Sequence, residues 1–159
     1  MERIILWSLL IIGIALLFNS LRKPPIKDLI LIYLLTSFFS IFFGVLVVEE
    51  KMIEYPISFL STYFSSSILY EYLLLPVVCI YFYQATYYSR YPSMILKCAL
   101  YTSVLTIIEV LLERYTDLIE YHTWTWIHTF ISIFSLIMFI RISMKLINRL
   151  DSKIGDYSK

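Results

Sequence analysis

Residues 29–48 run for twenty positions without one charged side chain. At about 1.5 Å of rise per residue, a helix of that length covers roughly 30 Å, the hydrocarbon thickness of a bilayer. A chain of 159 residues that is 60% hydrophobic and only 16% charged cannot enclose so much apolar surface in one soluble core. With a mean hydropathy of +0.78, the solvent this chain is built for is lipid.

Four further apolar runs surround that stretch. Residues 4–21 resemble a signal peptide in length, but no small-residue cleavage pattern follows, and Arg22, Lys23, Pro24 and Pro25 form a basic stop that no helix continues through. They read as a retained span. The run from 57 to 83 would reach about 40 Å as one helix. It divides more naturally into a Ser-rich interfacial or re-entrant piece over 57–67 and a span over 66–86. Spans over 93–113 and 124–147 follow, and 151–159 is expected to be a flexible tail. The fold expected is all-α: a single domain over 1–150, with five transmembrane helices.

The distribution of charge gives an orientation. Arg22, Lys23, Lys27, Arg90, Lys97, Arg141, Lys145, Arg149, Lys153 and Lys159 all fall on one side of a five-span layout, against Arg3, Lys51 and Arg114 on the other. The positive-inside rule then puts the N-terminus outside and the C-terminus in the cytoplasm. Trp7, Trp124 and Trp126 gather at the outer boundary. A net charge of +1 without a clustered basic excess argues against nucleic-acid binding. Cys79 and Cys98 lie in apolar runs and read as reduced core residues.

Small residues and charges stand out from this apolar background. Thr36, Ser40 and Gly44 recur every four residues, the pattern of a close helix-packing seam in lipid, and homo-oligomerisation through that face is one expectation. Arg141, Lys145 and Arg149 form a basic stripe suited to anionic lipid headgroups. Glu109, Glu113, Asp117 and Glu120, spaced by four, four and three, share one helical face that runs out of the membrane.

Two carboxylates, Glu71 and Glu109, lie within spans. A charge near mid-bilayer costs about 2.5–3.5 kcal/mol even on lenient scales, so each has to be neutral, paired or beside a wet cavity. In the five-span layout Glu71, Glu109 and His128 reach similar depths in the outer leaflet, below Glu113. Together they suggest a site for a proton or a small cation. Pro76 adds to this, because it removes a helical hydrogen bond and frees the Tyr72 carbonyl next to Glu71. The competing reading is that the same acids are held by hydroxyls of neighbouring spans and only fix helix packing.

No phosphate loop, nucleophile elbow or HExxH pattern is present, so catalysis is not expected. Glu109, Glu113, His122 and His128 are acceptable metal ligands, but the Glu-x-x-His repeat of bundle-core metal proteins is missing. No metal and no cofactor is expected.

The mid-span Glu109, the following Glu113 and the Tyr121-to-Trp126 segment leading into the last span resemble a group of small, roughly five-span membrane proteins of Bacillus- and Clostridium-type bacteria. The likeness extends over most of the chain in layout. It implies a bacterial multi-pass protein of the cytoplasmic membrane and says nothing of mechanism. The function expected from the residues is binding or moving a small solute or ion, proton-linked, through an outer-leaflet polar cavity. A scaffold or accessory subunit is the alternative, and a lipid-acting enzyme is a third reading that a groove opening sideways into the membrane would favour. Expected partners are membrane lipid and a second copy or a larger membrane complex.

Overall fold

In a computed structural model, residues 2–58 and 66–157 are described, with side chains as far as residue 152. Most of the interfacial piece expected over 57–67 therefore lies outside the described residues. The chain folds as α1 (Glu2–Leu21), α2 (Ile26–Glu49), a short strand β1 (Ile53–Glu54), a π-helix (Leu69–Leu74), α3 (Leu75–Thr86), α4 (Tyr91–Tyr115), a second short strand β2 (Glu120–Tyr121) and α5 (Trp126–Tyr157). The protein is all-α apart from this two-residue strand pair. Four helices, α1, α2, α4 and α5, are long and apolar enough to cross a membrane.

Local chemistry sets the helix ends. Pro92 sits in the first turn of α4, where its missing N–H removes nothing. At the far end of α2, Lys51 takes a left-handed φ of 55°. Lys51 and Met52 then donate to Val48 and Val47 at 2.9 and 3.1 Å, closing the last turn in a Schellman pattern. α5 differs from expectation at its end: it stays helical to Tyr157, well past the expected end of the span near 147.

The π-helix has an identifiable cause. Pro76 offers no N–H to Tyr72, four residues earlier, while the Leu75 N–H reaches back five residues to Tyr70 O. One extra residue is thus accommodated per turn just ahead of the proline. The displaced Tyr72 carbonyl is not left bare, because the Tyr33 hydroxyl of α2 donates to it at 2.7 Å. Glu71 lies inside this widened turn.

α3 is the central element, packed by α1, α2, α4 and α5. Leu29, Ile32, Ile80, Phe82, Cys98, Ile137 and Met144 are fully enclosed around it. The outward faces are apolar too, with Phe38, Phe42, Leu96, Leu100, Ile107, Ile131 and Leu146 all exposed. A continuous apolar exterior on so small a bundle is what lipid-facing helices present. Cys79 and Cys98 are buried and free.

The two ends of the bundle are tied differently. At one end β1 and β2 pair antiparallel, Ile53 opposite Tyr121 and Glu54 opposite Glu120, and His122 meets Glu54 at 3.2 Å on the surface. This joins the α2–π-helix connection to the α4–α5 connection. At the other end buried Asp28 accepts from Tyr83 at 2.5 Å and from Asn148 at 2.8 Å, joining α2, α3 and α5. A buried acid at that end was not anticipated, since Asp28 stands in sequence just outside the charge-free 29–48 run.

Candidate functional site

Glu71 and Glu109 come from elements far apart in sequence, the π-helix and α4, and line one cavity of about 610 Å³. That volume falls within the range of small-molecule sites. Both side chains are withdrawn from the surface, at 3% and 7% exposure. Among the described residues no lysine or arginine lines the cavity. Its walls are α2 from Phe39 to Val48 and α5 from Thr129 to Phe139, and Ile53, Tyr55 and Trp124 close the end that carries the strand pair.

Glu109 is well supplied with hydroxyl donors. Its Oε1 accepts from Tyr121 at 2.6 Å and from Thr129 at 2.8 Å. Thr129 Oγ1 in turn accepts from the Trp124 indole N–H at 2.8 Å. One carboxylate on α4 thereby fixes β2, the loop after it and the first turn of α5. Burial first, and then the adjoining Glu109 carboxylate, push the Tyr121 hydroxyl up from the ordinary tyrosine value, so it stays protonated and remains a donor. Tyr55 is pushed up in the same direction, by burial and then by the charges of Glu109 and Glu71.

Glu71 is held more loosely. Among the described residues only Ser66 donates to it, at 2.9 Å to Oε2. Its other oxygen occupies the space beside Gly44 where a side chain would otherwise begin. The Tyr70 hydroxyl is buried on the same wall, near Glu109. Ser40, Ser132 and Ser135 add small polar positions along the helical walls.

Two residues expected at this site are not on the cavity. Glu113, one turn beyond Glu109 on α4, is half-buried and does not line it. His128 is exposed, with Nδ1 2.8 Å from Thr125 Oγ1 and its ring 5.2 Å from that of Trp124. The reason is angular: α5 begins at Trp126, and one residue is about 100° of turn. The inward position therefore belongs to Thr129. A signal for this is visible in the sequence, because Thr129, Ile133, Ile137, Ile140 and Met144 form the helical stripe that α5 buries.

The packing seam and the basic stripe also differ from expectation in what they touch. Thr36 and Ser40 are buried within the chain, and Gly44 backs onto Glu71, so this face of α2 makes contacts inside the chain. Arg141 turns inward, donating to Thr86 Oγ1 at 3.2 Å and Thr86 O at 3.0 Å and lying 4.8 Å over the Tyr83 ring. It caps the C-terminus of α3, where free carbonyls favour a cation. Lys97 does the same from α4, reaching Ala85 O at 2.7 Å. Lys145 rests on the Tyr91 ring, and Arg149 is exposed.

Among the described residues no group of three or more His, Cys, Asp or Glu is placed to hold a metal ion. Comparison with known protein families, curated proteins and solved structures finds no match to this chain.

Proposed function

We propose that this chain is a multi-pass membrane protein of the bacterial cytoplasmic membrane that binds a small molecule in the cavity bearing Glu71 and Glu109. The observation that carries this reading is the cavity itself. Two acids buried only to fix helix packing would be closed over by neighbouring hydroxyls, and a small bundle has no packing reason to keep about 610 Å³ open beside them. The π-helix at Glu71 fits the same reading, since such widened turns recur where a side chain must be aimed at a ligand.

In this reading the π-helix and α3 together make the remaining crossing, six residues of π-helix and twelve of α-helix, giving five spans with the N-terminus outside. The strand pair and the carboxylates then belong to the outer leaflet. Asp28, Arg141 and Lys145 belong to the cytoplasmic side, where Arg149 reaches the headgroups of membrane lipid. Reporter fusions after residues 23, 50, 88, 118 and 157 test the topology: cytoplasmic signals at 23, 88 and 157 and external signals at 50 and 118 are expected. Any other alternation overturns it.

Binding is tested on protein extracted from its membrane and desalted. Native mass spectrometry of the wild type is expected to show a retained small molecule that Ser135→Phe, which fills the cavity, loses while remaining folded. Identical masses for the two, after correction for the substitution, would contradict the proposal. A second reading, in which the chain is a scaffold or accessory subunit of a larger membrane complex, is favoured by one observation: Glu109 ties down three segments at once. The two readings divide the acids between them, Glu109 holding the outer end closed and Glu71 facing the ligand.

A further inference from the structure

The shape and polarity of the cavity narrow the class of molecule it suits, given that it is a ligand site at all. The α2 wall uses Phe39, Ser40, Phe43, Gly44, Val47 and Val48, a stripe nine residues apart end to end, or roughly 14 Å along the helix. The α5 wall is of similar length. The space is therefore a groove lying along the two helices. Phe43 and Phe139 on its edges are 54% and 49% exposed, so the groove opens sideways between α2 and α5, where acyl chains surround the bundle. At mid-depth Phe39 and Phe139 meet edge to face, centroids 5.1 Å apart, and end it.

Polarity is graded along this length. The carboxylates, Tyr55, Tyr70, Trp124 and Thr129 gather toward the strand pair, while Phe39, Leu136 and Phe139 line the far end, where Ser40 and Ser135 are the small polar residues. An occupant must share that gradient, polar at one tip and apolar over the rest. The charge at the polar tip is equally one-sided: two acids, hydroxyl donors and no cation among the described residues. An anionic headgroup is repelled there. A cation offsets the cost of burying carboxylates, on a wall that also carries the aromatic rings of Tyr55 and Trp124. A small hydrated cation leaves most of the groove empty and its apolar wall uncovered.

We propose that the cavity holds a single-chain amphiphile with a protonated amine head. The ammonium lies against Glu71, in the cavity whose wall also carries the buried Tyr70 hydroxyl. The chain runs along the α2–α5 seam to the Phe39–Phe139 contact. Recognition is by charge at the head and by length in the tail.

Trp124, on the cavity wall, supplies the test. In a Trp7→Phe/Trp126→Phe background in nanodiscs, its fluorescence reports quenching by a dodecylamine brominated along the chain. Dodecanol and dodecyl sulfate brominated alike serve as head-group controls, and propylamine is tested separately by calorimetry. Saturable quenching by the amine alone is expected, weakened roughly tenfold or more by Glu71→Gln and abolished by Ser135→Phe. Equal quenching by all three chains, unaffected by either variant, is mere partitioning and overturns the inference. Saturable binding of propylamine with none of the long chain leaves the cavity a ligand site but refutes the amphiphile. Binding of neither amine refutes both.

Discussion

The Glu71 carboxylate fills the space that a side chain at Gly44 would occupy. The small residue on α2 thus serves a buried acid on the π-helix of the same chain, and its absence of a Cβ is what lets the acid reach the cavity wall. Gly44→Ala forces the carboxylate away from Ser66, and a destabilisation of about 1–3 kcal/mol is expected from the disturbed buried acceptor. In a Glu71→Ala background the same substitution has nothing to displace and is expected to be close to neutral. Thermal unfolding of the four proteins in detergent measures this coupling. Equal costs of Gly44→Ala in both backgrounds would show that position 44 does not sense Glu71.

Tyr33 and Pro76 form a second coupled pair. The Tyr33 hydroxyl takes the Tyr72 carbonyl that the proline leaves without a helical partner. Tyr33→Phe is expected to cost about 1 kcal/mol, within the range for hydrogen bonds between membrane helices. Pro76→Ala restores an N–H that can bond Tyr72, so the cost of Tyr33→Phe should then shrink toward zero. Unfolding of the single and double variants decides, and an undiminished cost in the Pro76→Ala background would detach the π-helix from the proline.

Thr129 and His128 are neighbours in sequence with opposite places in the fold. Thr129→Val removes a donor to Glu109 and an acceptor for Trp124, and a loss of about 1 kcal/mol or more is expected. His128→Ala at the exposed position should stay within about 0.5 kcal/mol of wild type. Thermal unfolding of the two variants side by side tests the phase of α5. The reverse order would mean that the helix is rotated from the arrangement described.

The same pair shows what could be read from the sequence and what could not. Hydropathy marks long apolar helices because it sums over about twenty residues, and the expected 29–48 and 93–113 stretches sit inside the observed Ile26–Glu49 and Tyr91–Tyr115 helices. Glu71 and Glu109, both singled out in the sequence as acids within apolar runs, line one cavity. Depth along a helix is fixed by counting residues, but azimuth turns by about 100° per residue, so a slip of one residue exchanges His128 for Thr129. Arg141 escaped for another reason: an Arg at the end of an apolar run reads as a headgroup contact until the C-terminus of α3 is seen beside it. The register change at the π-helix likewise depends on a tyrosine supplied by α2.

Cysteine labelling in intact membranes tests the groove most directly, with Ser135→Cys on its wall, Leu100→Cys as an exposed control and Ile137→Cys as an enclosed one. A lipid-soluble maleimide is expected to label positions 135 and 100 and to spare 137. Prior incubation with dodecylamine should protect position 135 alone. If position 135 proves as unreactive as 137, the helices close against each other there, and no groove exists for Glu71 and Glu109 to face.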